Sequence, residues 1–323
     1  MEDDIQDGSN LIFILSLPRS GSTLLQMLLS NNDKVSTASE PWILLPLISF
    51  LKSDFKIKAN GDLSRIAVED YLRLHSDSSL ANEVKKIALN FYAKATSKDA
   101  KYFLDKTPRY YEFGDEIKQL FPKAKIIILK RDLSDVVSSI CKTWDIDTIY
   151  KMRDYKRDLL AAPKLMQEFQ DANINNPNVR TVFYESLVDN PEAEVKMLYE
   201  WLGLDFNPDF IDFTNNKKAN GVLGDPIGVK ANRKPKKNLN SRKILEDHYW
   251  KDFSIGYLNH LGKTFLDLYG YSDYPQLKPT ADFNLFQYSC FHKRTSFKQS
   301  MSNILKNMKY YFTTSKYKKE IFN

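Results

Sequence analysis

Residues 11 to 29, LIFILSLPRSGSTLLQMLL, constrain the fold more than any other stretch of the chain. Leu11 to Leu15 form an unbroken apolar run, the pattern of a strand buried on both faces of a parallel sheet. A polar turn follows, Pro18-Arg19-Ser20-Gly21-Ser22-Thr23. Then Leu24, Leu25, Leu28 and Leu29 recur at the spacing of a helix face. A strand turning sharply into a helix leaves backbone N–H groups unpaired at the helix start. Those donors and the positive end of the helix dipole make a ready anion site. Gly21 permits close approach to the backbone, and Arg19, Ser22 and Thr23 add side-chain donors. The plain alternative, a turn that binds nothing, leaves this concentration of donors between two apolar elements unexplained.

The same loop excludes two standard phosphate sites. A nucleoside triphosphatase loop carries lysine just before its hydroxyl residue, in GxxxxGK[ST], and no lysine stands here. A dinucleotide loop reads GxGxxG, and only Gly21 is present.

Composition sets outer bounds. A length of 323 residues with 42% hydrophobic content suits one large α/β domain, or one domain with an appendage. The formal charge of +6 fits an anionic ligand without singling out nucleic acid. Cys141 and Cys290 build no disulfide framework, and His75, His248, His260 and His292 lack metal-ligand spacing. The acidic start MEDDIQDGSN is unlike a signal peptide, and no run has the length of a membrane span, so the expected location is cytoplasmic.

Further along, VSTASEPWILLP reads as a short strand, then the acidic Glu40, then a turn at Pro41. Neighbouring strand ends converge on one crevice in doubly wound folds, which would bring Glu40 towards the loop. Otherwise Glu40 is a helix-start or surface carboxylate. Residues 43–98 read as a helical insertion between the first two strands, with Val84, Ile87, Ala88 and Phe91 at helical spacing. Tyr102 to Leu104 form another short strand ending at Asp105-Lys106-Thr107, where Pro108 turns the chain and Thr107 is placed to cap the next helix. Ile126 to Leu129 repeat the buried-strand pattern, followed by Arg131, a helix start near Ser134, and Ser139 eight residues after Arg131. One amphipathic helix is expected over 145–175, a strand over Arg180 to Tyr184, and a helix after Pro191. The basic segment 212–243 and the basic, aromatic stretch 272–323 follow.

Several ordered motifs over roughly residues 10 to 250 resemble sulfotransferases that use 3′-phosphoadenosine 5′-phosphosulfate (PAPS). The loop PRSGST is most similar to the PRSGTT-type branch, which includes tyrosylprotein and bacterial enzymes. The resemblance implies a P-loop-like three-layer α/β fold, a central parallel sheet flanked by helices, and metal-independent chemistry. It implies that Arg19, Ser20, Gly21, Ser22, Thr23 and Leu24 hold the 5′-phosphosulfate. Glu40 then stands at the position of the catalytic base, and Lys106 and Arg19 meet the transferring sulfonate, with Asp105 orienting Lys106 or serving as a second base. Arg131 and Ser139 match the pair that grips the 3′-phosphate, a task that suits the rigid arginine fork. Tyr184 falls near the 3′-phosphate or adenine. Lys230 or Arg233 would come from a basic loop closing over the cofactor, unless that segment is only a solubilising loop. The product is adenosine 3′,5′-bisphosphate (PAP).

These readings divide the chain into a lead-in (1–10), a catalytic domain (11–271) and an extension (272–323). The extension reads as packing on the domain or as an assembly contact in preference to a membrane-surface helix; a homo-oligomer stays open. The expected acceptor is a small metabolite carrying a hydroxyl or amine. Other acceptors remain (peptide tyrosine, glycan or lipid), as do a small-molecule kinase and a catalytically silent nucleotide-binding protein.

Overall fold

The apolar run that opens the sequence reading forms the middle strand of a parallel sheet. In the computed structural model, residues 7–52, 61–214, 216, 234–236 and 241–274 are described. The chain divides into two compact units. The first takes 1–16, 21–129 and 169–237; the second takes 17–20, 130–168 and 238–323.

In the first unit, β1 (Leu11–Ser16) is flanked by β3 (Tyr102–Asp105) and β4 (Lys125–Lys130), with β2 (Val35–Thr37) beyond β3 and β5 (Val179–Phe183) beyond β4. Only the last residue of β4 falls in the second unit. The pairs β2–β3, β3–β1 and β1–β4 are parallel, with Phe13 opposite Asp105 on one side and Ile126 on the other. The strand order β2-β3-β1-β4-β5 makes β1 the point where the winding reverses, and ligands of open α/β sheets gather at the carboxyl ends of strands there. Every residue of β1 is buried, because helices cover both faces of such a sheet. Burial of each large apolar side chain contributes about 1.5–3 kcal/mol.

Helix α1 (Ser22–Ser30) leaves the end of the loop and packs Leu25, Leu28 and Leu29 into the core with Ile12, Ile14, Leu104 and Ile127. Gln26, fully buried on the same helix, donates to Thr37 Oγ1 at 2.8 Å and to the Ala38 carbonyl at 2.6 Å, fixing the exit from β2. Three helices, α2 (Leu44–Leu51), α3 (Gly61–His75) and α4 (Leu80–Ala95), form the expected insertion. They lie between β2 and β3 rather than between the first two strands. On α4, Val84 and Ala88 are buried while Ile87 and Phe91 are exposed, so only part of the periodic pattern faces the core. α5 (Gly114–Leu120) precedes β4. β5 stops at Phe183, so Tyr184 begins α10 (Tyr184–Asp189) rather than ending the strand, and α11 (Pro191–Leu202) starts at the proline.

In the second unit, α6 (Leu133–Thr143) starts under a cap by Asp132, whose side chain accepts from the N–H groups of Ser134 and Asp135, so the helix starts beside Ser134. The expected single helix over 145–175 is broken into α7 (Ile149–Met152), α8 (Lys156–Leu160) and α9 (Ala162–Ala172), the last of which continues into the first unit. Pro163 accounts for the break before α9: it has no N–H to donate and its ring crowds the preceding turn, so it is tolerated only at a helix start. α12 (Lys251–Leu261) and α13 (Lys263–Tyr269) close the unit, with Tyr257 donating to the Leu159 carbonyl at 2.8 Å. Lys130 is fully buried, its ammonium 2.6 Å from Gln167 Oε1 and 4.5 Å from the Tyr269 ring centroid. Arg242 binds Asp132 at 2.7 Å through Nε and donates its backbone N–H to Asp135 at 2.7 Å.

Lys230 and Arg233, most of the basic segment 212–243, and the extension beyond 274 lie outside the described residues. Among the described residues no helix is long and apolar enough to cross a membrane.

Candidate active site

The loop after β1 contributes to both units, and the two groups of side chains built on it are distinct. In the first unit, Gly21 precedes α1 with φ 91°, a left-handed conformation that glycine takes without strain. A Cβ at this position would lie 2.3 Å from Cδ2 of Tyr184. The Tyr184 ring therefore closes directly over the backbone, and any larger residue would displace it. α1 begins with no side-chain cap and no acidic residue in its first turn. That start leaves the first-turn N–H groups for an anion.

Lys106 joins this helix start to Glu40. Its side chain is 1% exposed, and its ammonium donates to Glu40 Oε1 at 2.7 Å and to Thr23 Oγ1 at 3.3 Å. A lysine on a strand end is usually at the surface; this one is buried because its charge has a carboxylate and a hydroxyl within reach. The Glu40 side chain is 10% exposed, and its second oxygen accepts the indole N–H of Trp42 at 3.2 Å.

Beside this pair stands a second carboxylate. Asp105 is fully buried, and its oxygens accept hydroxyls from Tyr92 (2.7 Å), Tyr110 (2.7 Å) and Thr107 (2.8 Å). Burial pushes its pKa up, against the pull of those hydroxyls and of Lys106, to about 6. A carboxylate so enclosed is an anchor rather than a second base. Thr107, expected as a helix cap, instead uses its side chain on Asp105 and on the Trp42 N–H. The 3-10 turn Tyr110–Phe113 that follows starts at Arg109 without a side-chain cap.

In the second unit, Arg19 is the centre. It adopts φ 69°, its Nε donates to Ser139 Oγ at 3.2 Å, and its guanidinium lies 5.7 Å from the Trp144 ring centroid. Arg131 Nη1 donates to the Arg19 carbonyl at 2.9 Å, and Nη2 lies 3.9 Å from Asp135. Arg131 and Ser139 thus both converge on Arg19. Ser20 is fully buried, and its hydroxyl has no hydrogen-bond partner among the described residues. An orphaned buried hydroxyl costs about 1–3 kcal/mol, a cost relieved when an anion accepts from it. That hydroxyl and the uncapped glycine start both fit a phosphate or sulfonate oxygen. Leu24 meets the core with its side chain, which leaves only its backbone for a ligand. Among the described residues no cluster of histidine, cysteine or carboxylates is placed to hold a metal ion.

Four contributors, Trp42, Gln26, Tyr92 and Tyr110, carry no role in the sequence motifs. Trp42 follows the turn at Pro41 with no role of its own in the motifs, although an indole two residues from a carboxylate is a usable signal. Gln26 could have been noticed as a polar residue on an apolar helix face. The hydroxyls of Tyr92 and Tyr110 carried no signal, since aromatic residues in helical patterns read as core.

Comparisons with known proteins follow this geometry. The sulfotransferase family model matches residues 11–208. Nodulation protein NoeE of Sinorhizobium fredii is 26% identical over 223 residues, 64% of this chain and 52% of that protein. Protein-tyrosine sulfotransferase A of Caenorhabditis elegans is 26% identical over 206 residues, 63% of this chain and 52% of that protein. The chain therefore spans about half the length of these curated relatives. Among solved structures, the sulfotransferase domain from the curacin biosynthetic pathway shares the fold with a TM-score of 0.54 at 18% identity, covering 80% of this chain and 97% of that one. The family match takes in more than half of the chain, including the loop after β1, Glu40, Lys106, Arg131, Ser139 and Tyr184, and on that match this protein belongs to the sulfotransferase family.

Proposed function

We propose that this chain transfers a sulfonate from PAPS to a hydroxyl or amine of a small-molecule acceptor by in-line displacement at sulfur. The observation that carries this reading is the buried Lys106, which links Glu40 to Thr23 at the anion-ready start of α1. PAPS, when bound, supplies the activated sulfonate. Glu40 takes the proton from the acceptor oxygen or nitrogen as its lone pair forms the new bond to sulfur. The bond from sulfur to the 5′-phosphate oxygen breaks, and its electrons stay on that oxygen. Lys106, Arg19, the Ser20 hydroxyl and the N–H groups of Ser20 to Leu24 offset the negative charge developing there. Arg131, Ser139 and Tyr184 hold the distal phosphate and the adenosine, and Lys230 or Arg233 closes on the same ligand from the basic segment.

The PRSGST loop, with Glu40 in place of the histidine base, supports a grouping with tyrosylprotein and bacterial enzymes of the family. A small hydroxylated or amine-bearing acceptor is our reading, with peptide tyrosine the chief rival.

Calorimetric titration of the full chain with PAP, ADP and ATP tests the cofactor. Micromolar or tighter PAP binding with much weaker ADP and ATP is expected, and Arg131→Ala should weaken PAP about ten- to hundred-fold. Failure of folded protein to bind PAP overturns the reading, and preference for ATP makes it a kinase. An unchanged PAP affinity in Arg131→Ala removes Arg131 from the site.

A further inference from the structure

We propose that Trp42 is a positioning residue for Glu40, an indole that fixes the plane of the carboxylate; this rests on the reading of Glu40 as the base. The two oxygens of Glu40 are held by unlike donors. Lys106 donates to Oε1 at 2.7 Å, and the Trp42 indole N–H donates to Oε2 at 3.2 Å.

The backbone at Trp42 supports the assignment. Its φ is 55°, in the left-handed region where a bulky side chain is an outlier. Such strain persists only where the surroundings impose it, and it gathers at functional sites. Glycine would take this conformation at ease but offers no donor. The surroundings here are specific. The Trp42 backbone N–H donates to Thr107 Oγ1 at 3.2 Å, and the Thr107 hydroxyl donates in turn to Asp105. Two residues on, the Leu44 N–H donates to the Tyr110 hydroxyl at 3.4 Å, and that hydroxyl also donates to Asp105. The Arg109 guanidinium lies 5.9 Å from the indole centroid and steadies the ring. Asp105 thus holds the backbone on which Trp42 sits, and Trp42 holds Glu40.

A double-mutant cycle on the full chain tests this. Trp42→Phe keeps the ring and removes the donor. With PAPS and a panel of phenol, alcohol and amine acceptors, kcat is expected to fall about ten-fold or more, with PAP affinity unchanged. In a Glu40→Gln background the same substitution should change kcat by less than about two-fold, because its target is already gone. Equal losses in both backgrounds overturn the proposal, as does an unchanged kcat in Trp42→Phe. A second readout needs no ligand. The indole N–H resonance of Trp42 in nitrogen-15-labelled protein, assigned by its loss in Trp42→Phe, should shift in Glu40→Gln. An unmoved resonance also overturns the proposal. If the wild-type chain fails to bind PAP, the proposed function falls, while the indole resonance still reads the Trp42–Glu40 contact, so the two failures are told apart.

Discussion

Two carboxylates of the first unit, Glu40 and Asp105, are both held at both oxygens, yet they are held for different ends. Asp105 is fully buried and surrounded by hydroxyls. Two of those hydroxyls, on Thr107 and Tyr110, go on to accept backbone N–H groups of Trp42 and Leu44. Its network therefore ends in main chain, and its effect is to fix a loop. Glu40 retains some exposure and is held by an ammonium and an indole, side chains that reach it from Lys106 and Trp42. Its network ends at Thr23, on the first turn of α1. A carboxylate whose partners lead to backbone is built to stay; under the proposed function, one whose partners lead to the anion-binding turn is built to exchange them. One strand end, Asp105-Lys106-Thr107, supplies partners to both.

Substitution at Glu40 should break the comparison most sharply. Under the proposed function, Glu40→Gln keeps an amide oxygen within reach of Lys106 but takes no proton. Turnover of PAPS should fall about a thousand-fold, near 4 kcal/mol in the barrier, with PAP affinity kept within a few-fold. The measurement is PAP release against calorimetric PAP binding in the same variant. Normal turnover would remove Glu40 from the base role and leave it a partner of Lys106 alone.

Asp105→Ala should act on the opposite quantity. It strands three buried hydroxyls, on Tyr92, Tyr110 and Thr107, and frees the loop at Trp42 and Leu44. A loss of about 3–4 kcal/mol in urea unfolding is expected, since each orphaned buried donor costs about 1–3 kcal/mol and the collapse of the site recovers part of it. Unchanged stability would mean that the hydroxyls find other acceptors and that Asp105 anchors nothing.

How far the sequence led is clearest at these residues. β1, β4 and the turn into α1 were legible because buried strands are continuous apolar runs and the donors sit consecutively. Glu40 and Lys106 were legible as strand-end polar residues, and the structure pairs them at 2.7 Å. The spacing of Arg131 and Ser139 was legible too, but not that both would meet Arg19, one through its carbonyl and one through its Nε. Gly21 read as room for an anion; that Tyr184 would also lie over it joins residues distant in the chain, which local pattern does not encode. The left-handed backbone at Trp42 was illegible for a stronger reason. Local propensity argues against it, and hydrogen bonds donated by the Trp42 and Leu44 N–H groups to the Thr107 and Tyr110 hydroxyls help to override that preference.

The smallest expected effect separates the two carboxylates by pH. Burial raises the Asp105 pKa from 3.8 to about 6, while the hydroxyls and Lys106 pull it down by less. A folded-state pKa above the unfolded value means that the folded chain binds more protons between the two, so this group's contribution is fully present below about pH 4 and is lost as pH rises through about 6. The loss amounts to at most about 3 kcal/mol, by the usual 1.4 kcal/mol per pKa unit. Asp105→Asn cannot titrate and should lack this slope. Urea unfolding of wild type and Asp105→Asn from pH 4 to 7 reads it directly: wild-type stability relative to the variant should decline across pH 4 to 6 and then level off. The same decline should appear between Glu40→Gln and the double variant Glu40→Gln/Asp105→Asn, because Asp105 is intact in the first and absent from the second. A flat difference between wild type and Asp105→Asn would place the titrating group elsewhere and leave Asp105 ionised across the range, an anchor whose hydroxyls outweigh its burial.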